Sequence, residues 1–307
     1  MKIIVTHTSP DWDAITSVWV IKRYLPGWEN AKVEFVPAGE HSSRVKEVTE
    51  AIQKVGEEEM IHVDTGLGPL DHHQTSDQNV SAASVSWDFV KTHSKMFEDQ
   101  SEKVTDKIAA IERIVSVVVA TDHFKEVFWE NPTADYHEFS LLGLLDGLKL
   151  QKPNEDDYYT EFGMACLDAM LHNFENRLWA EKEIEENGKM FDTRFGKGIA
   201  FETINDDVLK LAQKMGYTLV ARKDPRKGYL RIKARPSEAT INSSQLTINK
   251  KGIDLTLVYE QLKKMDPEAT WFLHVSKKML LNGTVKNPKM VPTKLTIDEI
   301  IHVLEKV

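Results

Sequence analysis

The sequence predicts an α/β protein: a doubly wound, mainly parallel sheet first, then a second, smaller α/β domain at the C-terminal end. Three observations predict it. Short apolar runs that read as strands alternate with segments whose apolar residues recur at helical spacing, which implies parallel pairing. The chain has 307 residues, room for two domains at ~150 residues each. The composition shifts over residues 181–189, a charged helix end that runs into Asn187-Gly188 and reads as the run-out into a linker. The domains are therefore placed at residues 1–185 and 195–307.

The elements follow in order. Ile3-Ile4-Val5 reads as a short buried strand. Residues 14–25 put Ile15, Val18, Trp19, Lys22 and Leu25 at helical spacing, and Pro26-Gly27 ends the helix. Residues 32–36 form a second strand. Residues 43–54 are expected to form a helix with Val45, Val48, Ile52 and Val55 on one face. Residues 60–63 are a third strand, closed by a Gly-Leu-Gly-Pro turn. Helices are expected over 82–93, 106–119 and 162–186. In the second domain, residues 198–203 and 217–221 read as strands around a helix at 206–215. The turn 224–228 leads to a strand at 229–234, giving a hairpin. A strand at 271–275 and a closing helix at 296–307 complete the chain.

Composition narrows the function. A hydrophobic share of 41% with 28% charged residues describes an ordinary folded protein rather than a disordered one. The single cysteine, Cys166, excludes an internal disulfide framework and a cysteine-based zinc ribbon, and it fits a reducing cytoplasm. No run approaches 18 apolar residues, so no membrane span is expected, and the first apolar run is too short for a signal-peptide core. The expected location is cytoplasmic. With 39 basic and 48 acidic residues the net charge is −9, which argues against coating long nucleic acid but not against a short phosphodiester.

Four places carry chemistry. His7, Asp11 and Asp13 follow the first strand. Asp64 ends the third strand, and Asp71-His72-His73-Gln74 comes seven residues later. Asp122-His123 follows the apolar segment 114–120. Ligands of open α/β sheets bind outside the carboxyl ends of the strands, so folding would gather these side chains at one edge. Crowded carboxylates repel and shift one another's pKa, and divalent cations resolve that repulsion. Mixed imidazole and carboxylate donors suit first-row metals such as manganese, iron, cobalt or zinc better than magnesium. Singly, each residue has a blander role: Asp13 could cap the following helix, and adjacent loop histidines are often merely solvated. In the second domain Arg231, Lys233 and Arg235 alternate onto one face of a strand, which suits phosphate oxygens or a solvated edge.

The order His7-x3-Asp11-x-Asp13, Asp64, Asp71-His72-His73, Asp122 resembles the DHH phosphoesterase superfamily over about residues 3–125. That superfamily includes exonucleases, oligoribonucleases, cyclic-dinucleotide phosphodiesterases and family II inorganic pyrophosphatases. The first motif is most similar to the pyrophosphatases. The stretch from Asp64 to Gln74, the run from Tyr229 to Pro236, the run from Trp271 to Ser276, and Asn282-Gly283 look more like MYG1-type exonucleases. Where many relatives carry a Gly-Gly-rich motif in their DHHA1-type C-terminal domain, this chain has Ser276 to Gly283 with only a single glycine.

The resemblance implies two divalent metal ions, manganese foremost, with magnesium or cobalt as alternatives. His7 and Asp11 would hold one, Asp13, His72 and Asp122 the other, and Asp64 would bridge them. His73 would contact the substrate phosphate or assist proton transfer, and Asp71 would orient His72. His274 and Ser276, with Asn282 and Gly283, would contact the substrate. The implied activity is hydrolysis of phosphodiester bonds in short oligonucleotides or RNA or DNA ends by two-metal activation of water. Alternatives are pyrophosphate, a nucleotide 3′-phosphate or a cyclic dinucleotide as substrate, or a non-catalytic nucleotide-binding module. The expected partners are a short oligonucleotide or nucleotide and no membrane, with homo-oligomerisation left open.

Overall fold

A computed structural model describes residues 1–236, 239–242, 245–248, 252–284, 286–287 and 289–306. The chain is a mixed α/β protein of two compact units, Met1–Glu175 and Asn176–Val307, and Val307, the end of the expected closing helix, lies outside the described residues.

In the first unit the elements are β1 (Lys2–His7), α1 (Trp12–Tyr24), β2 (Lys32–Val36), β3 (Gln53–Val55), β4 (Glu58–His62), α2 (Ala82–His93), α3 (Glu102–Asp122), α4 (Asp135–Glu138) and α5 (Leu141–Gln151), then α6 (Asp156–Glu186), in which the division between units falls. The sheet runs β2-β1-β4-β3. β1 is parallel to both β2 and β4, while β3 pairs antiparallel with β4. Ile3, Ile4 and Val5 of the central strand are fully buried, as expected of a parallel strand covered on both faces. Each such side chain contributes about 1.5–3 kcal/mol relative to exposure, an upper bound because the unfolded chain already buries some of it. Asp11 caps α1: its Oδ1 accepts from the backbone N–H of Asp13 at 2.9 Å and of Ala14 at 3.0 Å. The cap of this helix is therefore Asp11, which leaves Asp13 free for another task.

The expected helix at 43–54 does not form. Those residues are loop and turn until Gln53, where the short strand β3 folds back on β4. The stretch is rich in β-branched residues, which lowers its helix propensity, and Val45 packs against the sheet instead. Val48 fills the space above Gly68, where an added Cβ would stand 2.2 Å from a Val48 methyl. Apolar spacing alone did not separate a helix from a loop laid over the sheet.

In the second unit the elements are β5 (Lys189–Thr193), β6 (Gly196–Glu202), α7 (Asp207–Lys214), β7 (Leu219–Lys223), β8 (Leu230–Ala234), β9 (Ala239–Asn242), β10 (Gln245–Ile248), α8 (Thr256–Met265), β11 (Phe272–Leu273), β12 (Met279–Asn282) and α9 (Ile297–Glu305). Its main sheet runs β11-β12-β8-β7-β6-β5 and is antiparallel except for β6–β7. The turn at 224–228 closes the β7–β8 hairpin. No linker follows residue 186, because β5 begins at Lys189 and pairs at once with β6.

Candidate metal centre

The topology brings the histidine and aspartate motifs of the first unit to one place. β1 and β4 lie side by side with Val5 opposite His62, so His7 at the end of β1 and Asp64 just past β4 emerge together. The chain turns sharply there, with Asp64 itself in the left-handed region at φ 52°, a conformation that Asp tolerates better than most residues. Asp122 ends α3. His72 and His73 come from the loop between β4 and α2.

Three overlapping groups of donors result, His7–Asp11–Asp64, Asp64–His72–His73 and His72–Asp122–His123, each with its ligand atoms within 4.8 Å of one another, and Asp64 belongs to two of them. Asp64 Oδ2 lies 3.2 Å from His7 Nε2, which is 3.9 Å from Asp11 Oδ2. His7 Nδ1 donates to the Thr8 carbonyl at 2.9 Å, which turns the Nε2 side toward the carboxylates. On the other side, His72 Nε2 lies 3.5 Å from Asp13 Oδ2, 3.6 Å from Asp64 Oδ1 and 3.6 Å from Asp122 Oδ2. Asp64 Oδ1, His72 Nε2 and Asp122 Oδ2 are all buried without a hydrogen-bond partner. Ligand atoms about 2.1 Å from one ion stand roughly 3.0–3.4 Å apart at octahedral and tetrahedral angles, close to these spacings. Buried polar atoms left unpaired are costly, and a cation beside them removes that cost. The donor set thus fits a metal ion.

Electrostatics point the same way. Burial, then the neighbouring charge of Asp64, pushes the Asp13 carboxyl well above its ordinary range. Burial and the nearby Asp11 raise Asp64 to about 6, although its hydrogen bond with His7 opposes them. Burial also raises Asp122. His7 is raised to about 9, because burial, which lowers it, is outweighed by the hydrogen bond to Asp64, the Thr8 carbonyl and the charges of Asp11 and Asp64. A cavity of about 320 Å³ reaches three of these residues, Asp11, Asp13 and Asp122, with Glu126 and Asp146 also in its lining and no lysine or arginine; His7, Asp64, His72 and His73 do not line it.

Several supports were not read from the sequence. Asp13 sits against the N-terminus of α2, where it accepts from Ser81 Oγ at 2.6 Å, Ala83 N–H at 2.8 Å and Ala82 N–H at 2.8 Å. His123 belongs to the third group, with His72 and Asp122, and its Nε2 donates to the Val80 carbonyl at 2.9 Å. The loop that carries His7 and Asp11 is held at Ser9, itself at φ 53°. Lys149 of α5 donates to the Ser9 carbonyl at 3.0 Å, and the Ser9 N–H donates to Asp156 of α6 at 2.8 Å. The Asp122-His123 pair and the serine before α2 were visible signals. Contacts 140 and 147 residues apart in sequence gave none.

One expectation needs correction. Asp71 does not hold the His72 ring: its Oδ1 meets His73 Nδ1 at 2.6 Å and accepts from the His72 backbone N–H. Asp71 therefore orients His73. Burial alone would lower His73, but the Asp71 carboxylate raises it.

The expected substrate residues lie in the second unit and do not form one cluster. Arg231 and Lys233 share the less buried face of β8, and Arg235 follows its end. Arg231 pairs with Asp206 and lines a cavity of about 230 Å³ with Arg222, Arg226, Lys227, Asp224 and Gly283. Gly283 has φ 92°, and a Cβ there would lie 2.1 Å from the Tyr229 ring, so only glycine fits. Lys233, Arg235, His274, Ser276 and Asn282 do not line this cavity. His274 Nδ1 and Ser276 Oγ are 2.8 Å apart in the turn after β11. Asn282 is fully buried, and its amide nitrogen donates to the Thr270 and Val291 carbonyls, so it ties loops together.

No protein-family model matches the chain, and no curated protein matches it. Among solved structures, the crystal structure of an uncharacterized protein from Helicobacter pylori G27 aligns over 100% of this chain and 98% of that one, with 12% sequence identity and a TM-score of 0.25. A likeness at that score carries no argument about fold or function.

Proposed function

We propose that the protein is a metal-dependent phosphoesterase of the DHH type that hydrolyses phosphodiester bonds in short oligonucleotides or nucleic-acid ends. The observation that carries this reading is the splitting of Asp64: one oxygen lies 3.2 Å from His7 Nε2 in the group that includes Asp11, while the other lies 3.6 Å from His72 Nε2 and 3.8 Å from His73 Nδ1 and has no hydrogen-bond partner. One carboxylate between two donor groups is the arrangement expected of a pair of divalent cations. His7 and Asp11 would hold one, and Asp13, His72 and Asp122 the other, with manganese first among the candidates because the donors mix imidazole and carboxylate. Cations bound there would supply Lewis acidity toward a phosphoryl oxygen and a lowered pKa for water.

The chain's own residues supply the rest. The α2 N-terminus fixes Asp13, and the Asp11 cap bonds leave its second oxygen facing His7. His73 is half exposed, and its Nδ1 bond to Asp71 leaves the other ring nitrogen free to give a proton to a leaving oxygen. The Arg222, Arg226, Lys227 and Arg231 cavity of the second unit suits phosphate oxygens. The test is a manganese-supplemented panel of short oligonucleotides, a cyclic dinucleotide, a nucleoside 3′-phosphate and pyrophosphate. Cleavage of the oligonucleotides that stops on chelation is expected. Survival of the oligonucleotides while pyrophosphate is cleaved would move the substrate to small phosphates, and metal binding without cleavage of any of them would make the protein a binding module.

A further inference from the structure

The chain just past Asp122 is tied to the start of α2. His123 closes α3, and Phe124 follows in the left-handed region at φ 55°. His123 Nε2 donates to the Val80 carbonyl at 2.9 Å, and Lys125 Nζ donates to the Gln78 carbonyl at 2.8 Å. Both acceptors lie in the loop that runs into α2. The residues immediately after Val80 hold Asp13. Its Oδ1 accepts from Ser81 Oγ at 2.6 Å and from the Ala83 N–H at 2.8 Å, and its Oδ2 accepts from the Ala82 N–H at 2.8 Å. Asp122 and Asp13 are thus joined by one short path: His123, Val80, and the first turn of α2.

We infer that His123, seconded by Lys125, is a positioning residue that sets the separation of Asp13 and Asp122 across His72. The inference rests on the metal centre proposed above. Both Asp13 oxygens are gripped by the first turn of α2, so the carboxylate moves with that turn, and the His123 bond ties the turn to the end of α3. Asp13 Oδ2 and Asp122 Oδ2 stand 3.5 and 3.6 Å from His72 Nε2. Metal–ligand distances tolerate about 0.2 Å, and a site loosened by about half an ångström loses its fit. His123 acts through Val80 rather than as a ligand at Nε2, because that nitrogen carries the proton it donates to the carbonyl. The ring is only 19% exposed, which keeps this bond out of competition with water.

The experiment compares the full wild-type chain with His123→Asn, His123→Gln and Lys125→Met. Glutamine carries an amide nitrogen where Nε2 stands. Asparagine carries one only where Nδ1 stands and falls short of Val80. Mn²⁺ binding is followed by titration calorimetry, and hydrogen exchange of the Ala82 and Ala83 amides is followed in the metal-free protein. In His123→Asn one of the two ions is expected to bind about 10–100-fold more weakly with the other unchanged, and both amides are expected to exchange faster. His123→Gln is expected to recover most of both losses. Lys125→Met repeats the test from the protein surface and is expected to weaken the same ion. A merely structural role would lower the melting temperature and weaken both ions alike, which would overturn the inference. Equal losses in His123→Asn and His123→Gln would make His123 a ligand and also overturn it. Two ions bound by the wild type with affinity untouched in His123→Asn and Lys125→Met would overturn this inference alone, whereas a wild type that binds no Mn²⁺ would overturn the proposed function with it.

Discussion

At the residue scale, the decisive quantity is what each buried polar atom lacks. Asp13, Asp64, His72 and Asp122 are bland residues taken one by one, and each had a structural role open to it in the sequence. In the fold Asp11 takes the capping role, the α2 N-terminus takes up Asp13, and Asp64 Oδ1, His72 Nε2 and Asp122 Oδ2 are left without hydrogen-bond partners. The motif spacing made the gathering legible. It could not show that Asp71 grips His73, because residues one and two positions away look equally reachable on a loop. His62 provides a separate test of burial. Its Nε2 accepts from the Ser42 N–H at 3.1 Å, and burial, with the nearby His41, lowers it from 6.5 to about 4. Between those values the unfolded chain takes up a proton that the folded chain refuses. Stability is therefore full above pH 6.5, is lost as the pH falls toward 4, and levels off below it. Thermal melts of the chelator-treated protein across that window are expected to show a drop that is smaller in His62→Gln. An identical drop in the variant would reject the assignment.

At the element scale, the parallel core strand, the helix at 82–93 and the β7–β8 hairpin were readable because period and turn residues agree there. The segment 43–54 was misread because its apolar residues are spaced for a helix yet lie over the sheet, and helix or loop buries them equally. α5 was not anticipated, and it matters to the site. Lys149 on α5 and Asp156 on α6 take both backbone polar groups of Ser9, two residues from His7 and two from Asp11. These helices therefore set the path of the loop that carries His7 and Asp11. Lys149→Met and Asp156→Asn are expected to weaken Mn²⁺ affinity about 10–100-fold, the usual effect of losing a group that orients ligands, with little change in circular dichroism. Titration calorimetry decides it, and Lys149→Arg is expected to restore much of the loss. Unchanged affinity in both variants would show that the loop holds its path alone.

At the scale of the whole molecule, each of the two units has its own buried core, and among the described residues no helix is long and apolar enough to cross a membrane. The length predicted two domains, and the sequence placed the metal-ligand motifs in the first and the cationic cluster in the second. The strand pairing of the second unit was less legible, since an antiparallel sheet built around one parallel pair needs long-range register that periodicity does not carry. The net charge of −9 bears on partners at this scale. Electrostatic attraction to a long duplex needs many simultaneous phosphate contacts, and the cations here are local. Mobility-shift titrations at about 150 mM salt are expected to show no retention of long duplex DNA. Tight, salt-sensitive retention would point to a cationic surface beyond the Arg231 cavity.

The central claim is that Asp64 joins two donor groups into one metal centre. It is tested most directly by counting Mn²⁺ bound per chain in the wild type and in Asp64→Asn, with electron paramagnetic resonance to detect coupling between ions. Two coupled ions in the wild type are expected, with affinity in the variant reduced by more than about 100-fold and the coupling gone. Full, coupled occupancy in Asp64→Asn, or no Mn²⁺ bound by the wild type, would contradict it.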